Sequence, residues 1–512
     1  MIILLQVVLP FDKTKKHQMS NQNLTFRHFF LSIIAMAIFV ISCSETENEP
    51  DLVGEPVIEE PILDPVFELV GDSLTMAIYR NNCGGCHGQN LASFVERDWK
   101  YGNDTADLVA SIKVGSPENG MPAYGETFTE AEINSLAVYI LNTVEGKTKK
   151  MLEDENPDLS GLIESADMNF RLETLSDQID GVPWAIVQLP NADLLVTERG
   201  GKLYRITNEK ELQTITGVPS VQSSGQGGLL DVAIDPDFAN NSLVYLSYSK
   251  RNPQNAGQQT TAVARGKLVG NALSDVEDLF IALPYHNTTQ HYGSRILFDQ
   301  DGYLYVSVGD RGSRDQFPQA LDNQIGKVHR INADGSIPTD NPFVSNPSAN
   351  NSIYSYGIRN PQGLSLHPVT GAVWEGEHGP QGGDEINIIQ PGNNYGWPVI
   401  SYGINYNGTP FTELTEKEGM EQPIHYWTPS IAPCGMDFVA GEFYLGWKND
   451  LFVSSLKFQY LHRLKMDGDK VVGQEELLKD IGRVRDVHMG LDGYIYLAVE
   501  GPGRVIKLIP EY

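Results

Sequence analysis

A short pattern of turn and strand recurs through the C-terminal two thirds of the chain, and it limits the possible fold more than any other feature. Each copy is a turn rich in Asp, Asn, Pro and Gly, followed by a strand that is wholly apolar or alternates apolar and polar side chains. Six copies begin at about residues 190, 242, 301, 371, 449 and 492. Their spacing of about 40–80 residues is close to that of propeller blades with insertions. We therefore predict an all-β, six-bladed β-propeller over residues 161–512.

An array of β-sandwiches is the alternative interpretation of this repeat. It is less suitable, because no independent linkers separate the copies. A propeller must also close its ring of blades. We expect the C-terminal strand, residues 504–509, to do so by pairing with an early strand near residues 170–175.

Upstream of the repeat, Cys83-Gly-Gly-Cys86-His87 has the spacing of a haem c attachment site. Cys83 and Cys86 would bind the haem covalently, and His87 would ligate its iron. A zinc site would need a second pair of ligands nearby, and a thioredoxin-like motif would need a βαβ setting; the sequence offers neither. We predict Met121 as the other iron ligand, rather than Met76, which lies on a short helix before the motif.

The surroundings of this motif resemble a small class I cytochrome c. The loop at residues 119–123 is similar to the distal-ligand loop of that family, and a helix is predicted after Thr129, with Glu132 completing a capping box. The resemblance spans residues 69–146 and implies a small all-α domain that carries haem c. Residues 147–160 are charged and are interpreted as a linker.

The N-terminus has the pattern of an export signal. An apolar run over residues 29–42 ends in Val40-Ile41-Ser42-Cys43, which resembles the lipobox of bacterial lipoproteins. We predict a signal peptide over residues 1–43 with lipidation at Cys43; a plain cleaved signal is the alternative, and Met19 is an alternative start to Met1. Residues 44–68 hold nine acids, four prolines and no Lys or Arg, which predicts an extended tether. We therefore expect an exported protein, anchored by lipid in the periplasm, outer membrane or cell surface.

The charge of the chain excludes one large class of partner. The sequence has 66 acidic against 37 basic residues, a formal net charge of −29, and no long basic run. Nucleic-acid binding requires a face that neutralises phosphates, so we exclude it. The same charge favours a basic electron acceptor and disfavours anionic sugars.

Five polar stretches of the repeat region resemble the soluble aldose sugar dehydrogenases, a family of glucose/sorbosone dehydrogenases that uses pyrroloquinoline quinone (PQQ). In family order, they are Gly225–Asp231, His291–Arg295, Tyr356–Gly363, Glu377–Asn387 and Asn394–Pro398. The resemblance runs from about residue 180 to the end of the chain. It implies a six-bladed propeller that binds PQQ and calcium and oxidises an aldose at C1 to the lactone.

The resemblance also implies roles for single residues. His291 matches the family's base, and a neutral imidazole is a suitable proton acceptor near pH 7; Arg359 is the second catalytic residue. The implied PQQ contacts are Gln226, His291, Arg359, Asn360, Tyr406, Ser455, Leu456, Lys457, Arg483 and Arg485. The carbonyls of Gly379 and Pro380 would hold the catalytic calcium, and Glu385 with the carbonyl of Tyr395 would hold a structural one.

Two positions depart from these patterns. Gln290 precedes the base where many relatives carry Asp or Asn, so an amide stands where a carboxylate could orient the imidazole. Cys434 has no available partner and is expected to be a buried free thiol.

Together these features predict a lipid-anchored quinohaemoprotein. An aldose would be oxidised on the propeller, and haem c would pass the electrons to an external acceptor such as another cytochrome. A sugar-binding surface lipoprotein with a degenerate site is the first alternative. A PQQ dehydrogenase of sorbosone-like aldehydes or of non-sugar alcohols is the second.

Overall fold

The computed structural model of the chain describes residues 69–88, 91–95, 99, 102–116, 121–148, 159–501 and 503–512, with residues 85, 86 and 92 described by their backbone alone. The predicted signal peptide, Cys43 and the acidic tether lie outside these residues, as does most of the predicted linker. Within the described ranges, no helix is long and apolar enough to cross a membrane.

The N-terminal part of the described chain is a small helical domain. Its helices are α1 (Asp72–Asn82), α2 (Gly84–His87), α3 (Thr105–Val114) and α4 (Glu130–Val144), with a 3-10 turn at Ala92–Phe94. The predicted capping box is present, since Thr129 and Glu132 each accept a hydrogen bond from the other's amide. α4 packs against α1 and α3, and Tyr79 and Leu136 are fully buried in the shared core.

Six four-stranded antiparallel sheets follow and confirm the predicted six-bladed propeller. The first two consist of β2 (Pro183–Gln188), β3 (Leu194–Glu198), β4 (Lys202–Ile206) and β5 (Leu212–Ile215), and of β6 (Leu229–Ile234), β7 (Leu243–Arg251), β8 (Gln259–Val269) and β9 (Ala272–Ile281). The next two consist of β10 (Ile296–Phe298), β11 (Tyr303–Val308), β12 (Lys327–Asn332) and β13 (Ile353–Tyr356), and of β14 (Pro361–Leu366), β15 (Val373–Glu377), β16 (Asp384–Ile388) and β17 (His425–Trp427).

The fifth sheet consists of β18 (Pro433–Phe438), β19 (Leu451–Ser455), β20 (Tyr460–Asp467) and β21 (Lys470–Leu477). The sixth consists of β22 (Arg483–Met489), β23 (Ile495–Glu500), β24 (Arg504–Glu511) and β1 (Asn169–Ser176). A short helix, α5 (Phe238–Asn241), and a 3-10 turn at Leu445–Trp447 lie in the loops. The sixth sheet joins the two ends of the propeller, because β1 pairs with β24, Leu172 lying opposite Leu508. This pairing confirms the predicted ring closure.

The inner strand of each sheet contacts the inner strands of its two neighbours, so that β2, β6, β10, β14, β18 and β22 form a closed ring. Buried charges connect this ring near its axis. Arg295, just before β10, lies 3.3 Å from Asp231 of β6 and 2.9 Å from Asp486 of β22. Its guanidinium also lies 4.3 Å from the ring centroid of Trp184 in β2. The expected buried free thiol is found at Cys434. Its Sγ lies 3.7 Å from Arg295 Nη2 and 3.4 Å from Gln362 Oε1.

Candidate active site

The base implied by the resemblance, His291, lies in the loop before β10. It lines a cleft at the end of the propeller where the inner strand of each sheet begins and the strand next to it ends. Its backbone has a φ of +50°, and its amide donates to Gln226 Oε1 at 2.7 Å. Its Nδ1 lies 2.6 Å from Oδ1 of Asp310, two residues after β11. Because the carboxylate accepts a hydrogen bond from Nδ1, that nitrogen carries the proton and Nε2 is left to accept one.

Three donors hold the Asp310 carboxylate. Besides His291, the amide of Gly312 donates to Oδ1 at 2.7 Å, and Trp397 Nε1 donates to Oδ2 at 2.8 Å. Burial alone would raise the pKa of Asp310, but His291 and then Arg359 outweigh it and keep this pKa below its ordinary value. Asp310 is therefore an ionised, fixed partner of the imidazole.

The pKa of His291 lies below its ordinary value of 6.5. Burial is the largest cause and the positive charge of Arg359 adds to it, whereas Asp310 acts in the opposite direction. The imidazole is thus neutral near pH 7, which is the protonation state that a general base requires.

Sequence reasoning missed Asp310 and considered only Gln290 for the role of orienting the base. The carboxylate comes instead from 19 residues further along the chain, at the end of the next strand. The visible indication was Val308-Gly309-Asp310-Arg311-Gly312, in which an acid and two glycines follow a predicted strand. Gln290 has another role, because its carbonyl accepts a hydrogen bond from Arg311 Nη1.

Arg359 and Asn360 lie beside the base, just before β14. Arg359 Nη1 donates to the carbonyls of His378 and Gly379, both at 2.7 Å. The backbone amides of Arg359 and Asn360 donate to the Glu377 carboxylate. Asn360 Oδ1 accepts from the Gly293 amide at 3.2 Å, while its buried Nδ2 has no acceptor among the described residues. A buried donor of this kind is available to a ligand.

A cluster of arginines lies at the strands β22 and β23. Arg483 and Arg485 lie 3.2 and 2.8 Å from Glu500. Burial would raise the pKa of Glu500, but Arg485, Arg483 and Arg199 lower it to about 2. Arg199, which follows β3 and was missed by sequence reasoning, has its own pKa lowered by burial and then by Arg485. Close, partly buried arginines favour a bound polyanion.

The other implied PQQ contacts lie on neighbouring segments. Lys457 is buried in the turn after β19, and the Leu456 carbonyl accepts from Arg483 Nη1 at 3.3 Å. Ser455 ends β19, and its hydroxyl donates to the Ile431 carbonyl at 2.9 Å. Tyr406 lines the cleft of His291 and is 43% exposed, so it can contact a bound molecule at the rim.

Buried carboxylates lie behind Arg359. Burial raises the pKa values of three glutamates, Glu375, Glu377 and Glu385. The negative charge of Glu377 is the next cause for the other two. Glu375 Oε1 has no hydrogen-bond partner among the described residues. Within the described ranges, no group of three His, Cys, Asp or Glu side chains is arranged to hold a metal by itself. A cation here would need backbone carbonyls such as that of Tyr395 as well.

Asp384 holds the loop that would supply the other calcium ligands. This buried carboxylate accepts from the amides of Gly379, Ile431 and Ala432 and from the Ser430 hydroxyl. Pro380 in the same loop lines the His291 cleft. The Gly379 carbonyl already accepts from Arg359, and a carbonyl oxygen has a second lone pair for a cation.

The cleft above His291 has a volume of about 540 Å³ and opens to solvent. Its walls carry Asp310, Arg359, Trp397, Asn405 and Tyr406. Aromatic faces beside hydrogen-bonding groups and a base are suited to a small polar molecule such as a monosaccharide.

In the helical domain, Cys83 and His87 lie four residues apart at the α1–α2 junction, and Cys83 packs against the domain core. The His87 ring stacks on Phe94 with centroids 4.7 Å apart. Met121 forms a two-hydrogen-bond bridge with Ser116 after α3. The Cys86 side chain lies outside the described part of the structure. Haem attachment at Cys83 and Cys86 and the ligand roles of His87 and Met121 stay predictions.

Comparison with known proteins identifies both domains. A family model for "Glucose / Sorbosone dehydrogenase" matches residues 181–507, and one for "Cytochrome C oxidase, cbb3-type, subunit III" matches residues 75–140. The helical domain is similar to the cbb3-type cytochrome c oxidase subunit CcoP of Azospirillum brasilense, with 37% identity over 82 residues, which is 14% of this chain and 28% of that protein.

The propeller is similar to aldose sugar dehydrogenases. Aldose sugar dehydrogenase YliI of Escherichia coli is 41% identical over 361 residues, covering 69% of this chain and 96% of that protein. The crystal structure of the apo-form of the soluble E. coli aldose sugar dehydrogenase superposes with a TM-score of 0.63 at 39% identity, over 67% of this chain and all of that one. The PQQ-bound aldose sugar dehydrogenase of Streptomyces coelicolor has a TM-score of 0.54 at 26% identity, over 67% and 98%. The chain therefore belongs to the glucose/sorbosone dehydrogenase family and carries a cytochrome c domain ahead of its propeller.

Proposed function

We propose that this protein is a quinohaemoprotein that oxidises an aldose at C1 to the lactone with PQQ as hydride acceptor. Haem c then passes the electrons to an external one-electron acceptor such as another cytochrome. The observation that carries this proposal is a neutral, oriented imidazole: His291, held by Asp310 and beside Arg359, lines a sugar-sized cleft.

The residues present fit PQQ, which has three carboxylates. Arg199, Arg483 and Arg485 surround a single shared carboxylate, Glu500, and so leave positive charge for a polyanion. The buried Asn360 Nδ2 supplies a free donor among the described residues. When bound, PQQ supplies a quinone carbonyl carbon that accepts a hydride.

The residues of the chain supply the proton transfer and the electrostatics. His291 Nε2 accepts the proton of the C1 hydroxyl, and Asp310 stabilises the imidazolium that results. Arg359 places positive charge beside the atoms that gain negative charge as the hydride leaves the sugar. Trp397 fixes Asp310 from the side opposite to His291, so that the base keeps its direction.

Calcium is part of the proposal, held in two places. The carbonyls of Gly379 and Pro380 would hold one ion near the cofactor, and Glu385 with the Tyr395 carbonyl would hold another. The support is the set of raised carboxylate pKa values around Glu377, because buried negative charge of this kind is relieved by a hard cation that binds oxygen. We also propose that the protein is exported and anchored by lipid at Cys43, in the periplasm, outer membrane or cell surface.

The test is sugar-dependent reduction of a soluble dye by protein reconstituted with PQQ and calcium, across a panel of aldoses, sorbosone-like aldehydes and simple alcohols. His291→Ala should lower kcat, measured at saturating PQQ, by about 10²- to 10⁴-fold, the usual contribution of a general base. His425→Ala, which removes a half-buried histidine on the outer strand β17, is the matched control and should retain activity.

A sugar-binding lipoprotein is separated from the dehydrogenase by the same variants. A binder would keep its sugar affinity in His291→Ala. It would reduce no dye, whether as the unaltered protein or as the variant. The substrate panel decides between aldoses and the other alcohols.

A further inference from the structure

A direct hydrogen bond joins the two domains. The Nε2 atom of Gln381, in the loop after β15, donates to Oδ1 of Asn82 at 3.0 Å. Asn82 is the last residue of α1 and precedes Cys83 of the haem-binding motif, whereas Gln381 follows Pro380 of the active-site cleft. Both domains belong to one compact unit of the chain.

The cytochrome side of this contact is held in place. Asn82 Nδ2 donates to the Ile78 carbonyl at 2.9 Å within α1. The Asn82 carbonyl accepts from the Tyr124 hydroxyl at 3.1 Å, and Tyr124 is itself buried in the domain core. The Asn82 amide is therefore anchored at its nitrogen and at its backbone, with its oxygen directed at Gln381.

The propeller side is equally constrained. The backbone amide of Gln381 donates to the Ile404 carbonyl at 3.1 Å. The Gly379 amide is bonded to Asp384 at 2.8 Å, which is the carboxylate that orders this loop. The contact thus joins two fixed segments rather than two long surface side chains.

Charge on the adjoining surfaces is complementary. Arg80 of α1 lines a cleft of about 740 Å³ together with three carboxylates and one lysine of the propeller, Glu475, Glu476, Asp480 and Lys479, so the propeller wall is negative on balance even though Lys479 pairs with Glu476 at 2.8 Å. A cation on the cytochrome opposite acids on the propeller favours this orientation of α1 over others.

We propose that the Gln381–Asn82 contact is the electron-transfer junction between the dehydrogenase site and haem c. The inference rests on the proposed function and specifies its electron route. The path runs from Pro380 through one peptide bond to Gln381, across the hydrogen bond to Asn82, and through one more peptide bond to Cys83, whose sulfur would carry the haem. Covalent bonds and a hydrogen bond form a continuous path without a gap through solvent.

The electrons and protons balance. Conversion of one aldose to its lactone breaks the C1–H and O–H bonds and releases two electrons and two protons. Haem iron takes one electron at a time, from Fe(III) to Fe(II). A one-electron acceptor protein outside the chain oxidises Fe(II) between the two transfers, and the protons leave to solvent, one of them through His291.

The test compares Gln381→Ala, Asn82→Ala and the double variant in the full chain loaded with haem c, PQQ and calcium. Stopped-flow absorbance measures haem reduction after sugar is added, and reduction of a soluble dye measures the dehydrogenase alone. Gln254→Ala, which removes an exposed glutamine at the turn between β7 and β8, is the matched control. Loss of one hydrogen bond lowers the docked population by about fivefold. Haem reduction should slow by that factor in each single variant and no further in the double variant, with dye reduction unchanged.

Hydrogen exchange gives a readout that does not depend on turnover. The amides of Gly379 and of residues 381–384 should exchange faster in Asn82→Ala than in the unaltered protein. Equal haem-reduction rates in Gln381→Ala and Gln254→Ala, or unchanged exchange in Asn82→Ala, would overturn the junction. Absence of dye reduction in the unaltered protein would overturn the dehydrogenase function itself, whereas dye reduction with haem that stays oxidised would overturn only the route.

Discussion

Asp310→Asn is the sharpest perturbation of the candidate site, because it changes charge and hydrogen-bonding capacity without changing size. The carboxylate accepts from His291 Nδ1 at 2.6 Å, from the Gly312 amide at 2.7 Å and from Trp397 Nε1 at 2.8 Å. An amide has one acceptor oxygen. Either His291 or Trp397 must therefore face the NH₂ group in the variant.

The magnitude follows from these contacts. A hydrogen bond to a charged partner contributes about 1.5–3 kcal/mol, which corresponds to roughly a 10- to 150-fold loss of kcat. If the NH₂ group turns toward His291, Nδ1 becomes the acceptor and Nε2 carries the proton. The base is then in the wrong tautomer, and the loss rises toward about 10⁴-fold.

The pH profile of kcat provides a second measurement. Activity requires neutral His291, so it falls as the pH drops through the pKa of this residue, which lies below 6.5. Asp310 raises that pKa, and its removal lowers it further. The acid limb of the profile should therefore move to lower pH in Asp310→Asn, together with the lower maximum.

Steady-state dye reduction and PQQ titration are the assays for this variant. Asp301→Asn removes an exposed carboxylate from the turn before β11 and controls for the change in net charge. A kcat for Asp310→Asn within threefold of that for Asp301→Asn, at equal PQQ occupancy, would refute the role of Asp310; threefold is roughly 0.7 kcal/mol, well below the expected loss.

Four further outcomes are expected. Glu500→Gln should lower the free energy of unfolding of the apoprotein by about 3 kcal/mol at pH 7, because folding lowers the pKa of Glu500 from 4.5 to about 2. In urea titrations, the difference in stability between the two proteins should shrink as the pH falls from 4.5 toward 2. Gly115→Ala should weaken the methionine-to-iron absorption band, because Gly115 has a φ of +65° and an added Cβ would lie 2.4 Å from the Pro122 carbonyl oxygen. Gly71→Ala is the control and should leave the band unchanged, since a Cβ added there would have no neighbour among the described residues within 4 Å. Arg295→Met should destabilise the propeller by about 3–5 kcal/mol in thermal and urea unfolding, because it leaves two axial carboxylates buried without their cation. Reduction of a basic external acceptor should slow as salt rises, because the chain carries a net charge of −29.

The sequence predicted the fold well because the repeated pattern follows the most buried strands. Every predicted copy falls on the second strand of its sheet, as with β3 and β11, whose residues are almost all buried. Such strands are covered by neighbouring blades on both faces and must be apolar. Outer strands such as β5 and β9 are largely exposed or half-buried, so their composition carries little information about the sheet.

The site was predictable only in part. The resemblance pointed to His291 and Arg359, which lie in recognisable stretches, and to the arginines of β22, which lie outside those stretches but where the family carries cations. Asp310 lies 19 residues after the base and meets it only because β10 and β11 are adjacent antiparallel strands. Glu500 meets Arg483 in the same way across β22 and β23. Partnerships across strands depend on register, which a pattern of residue types does not specify.

Charge acts on two length scales in this protein. The net charge of −29 sets a field at the surface, where salt screens interactions beyond about 8 Å at physiological ionic strength. The arginines around Glu500 act inside the propeller, where screening is weak and where Arg485 is 9% exposed. The buried cluster would therefore attract the anionic cofactor of the proposed function in spite of the acidic exterior. The proposed external acceptor would meet only the exterior, so the same chain would hold an anion at its centre and select a cationic partner at its surface.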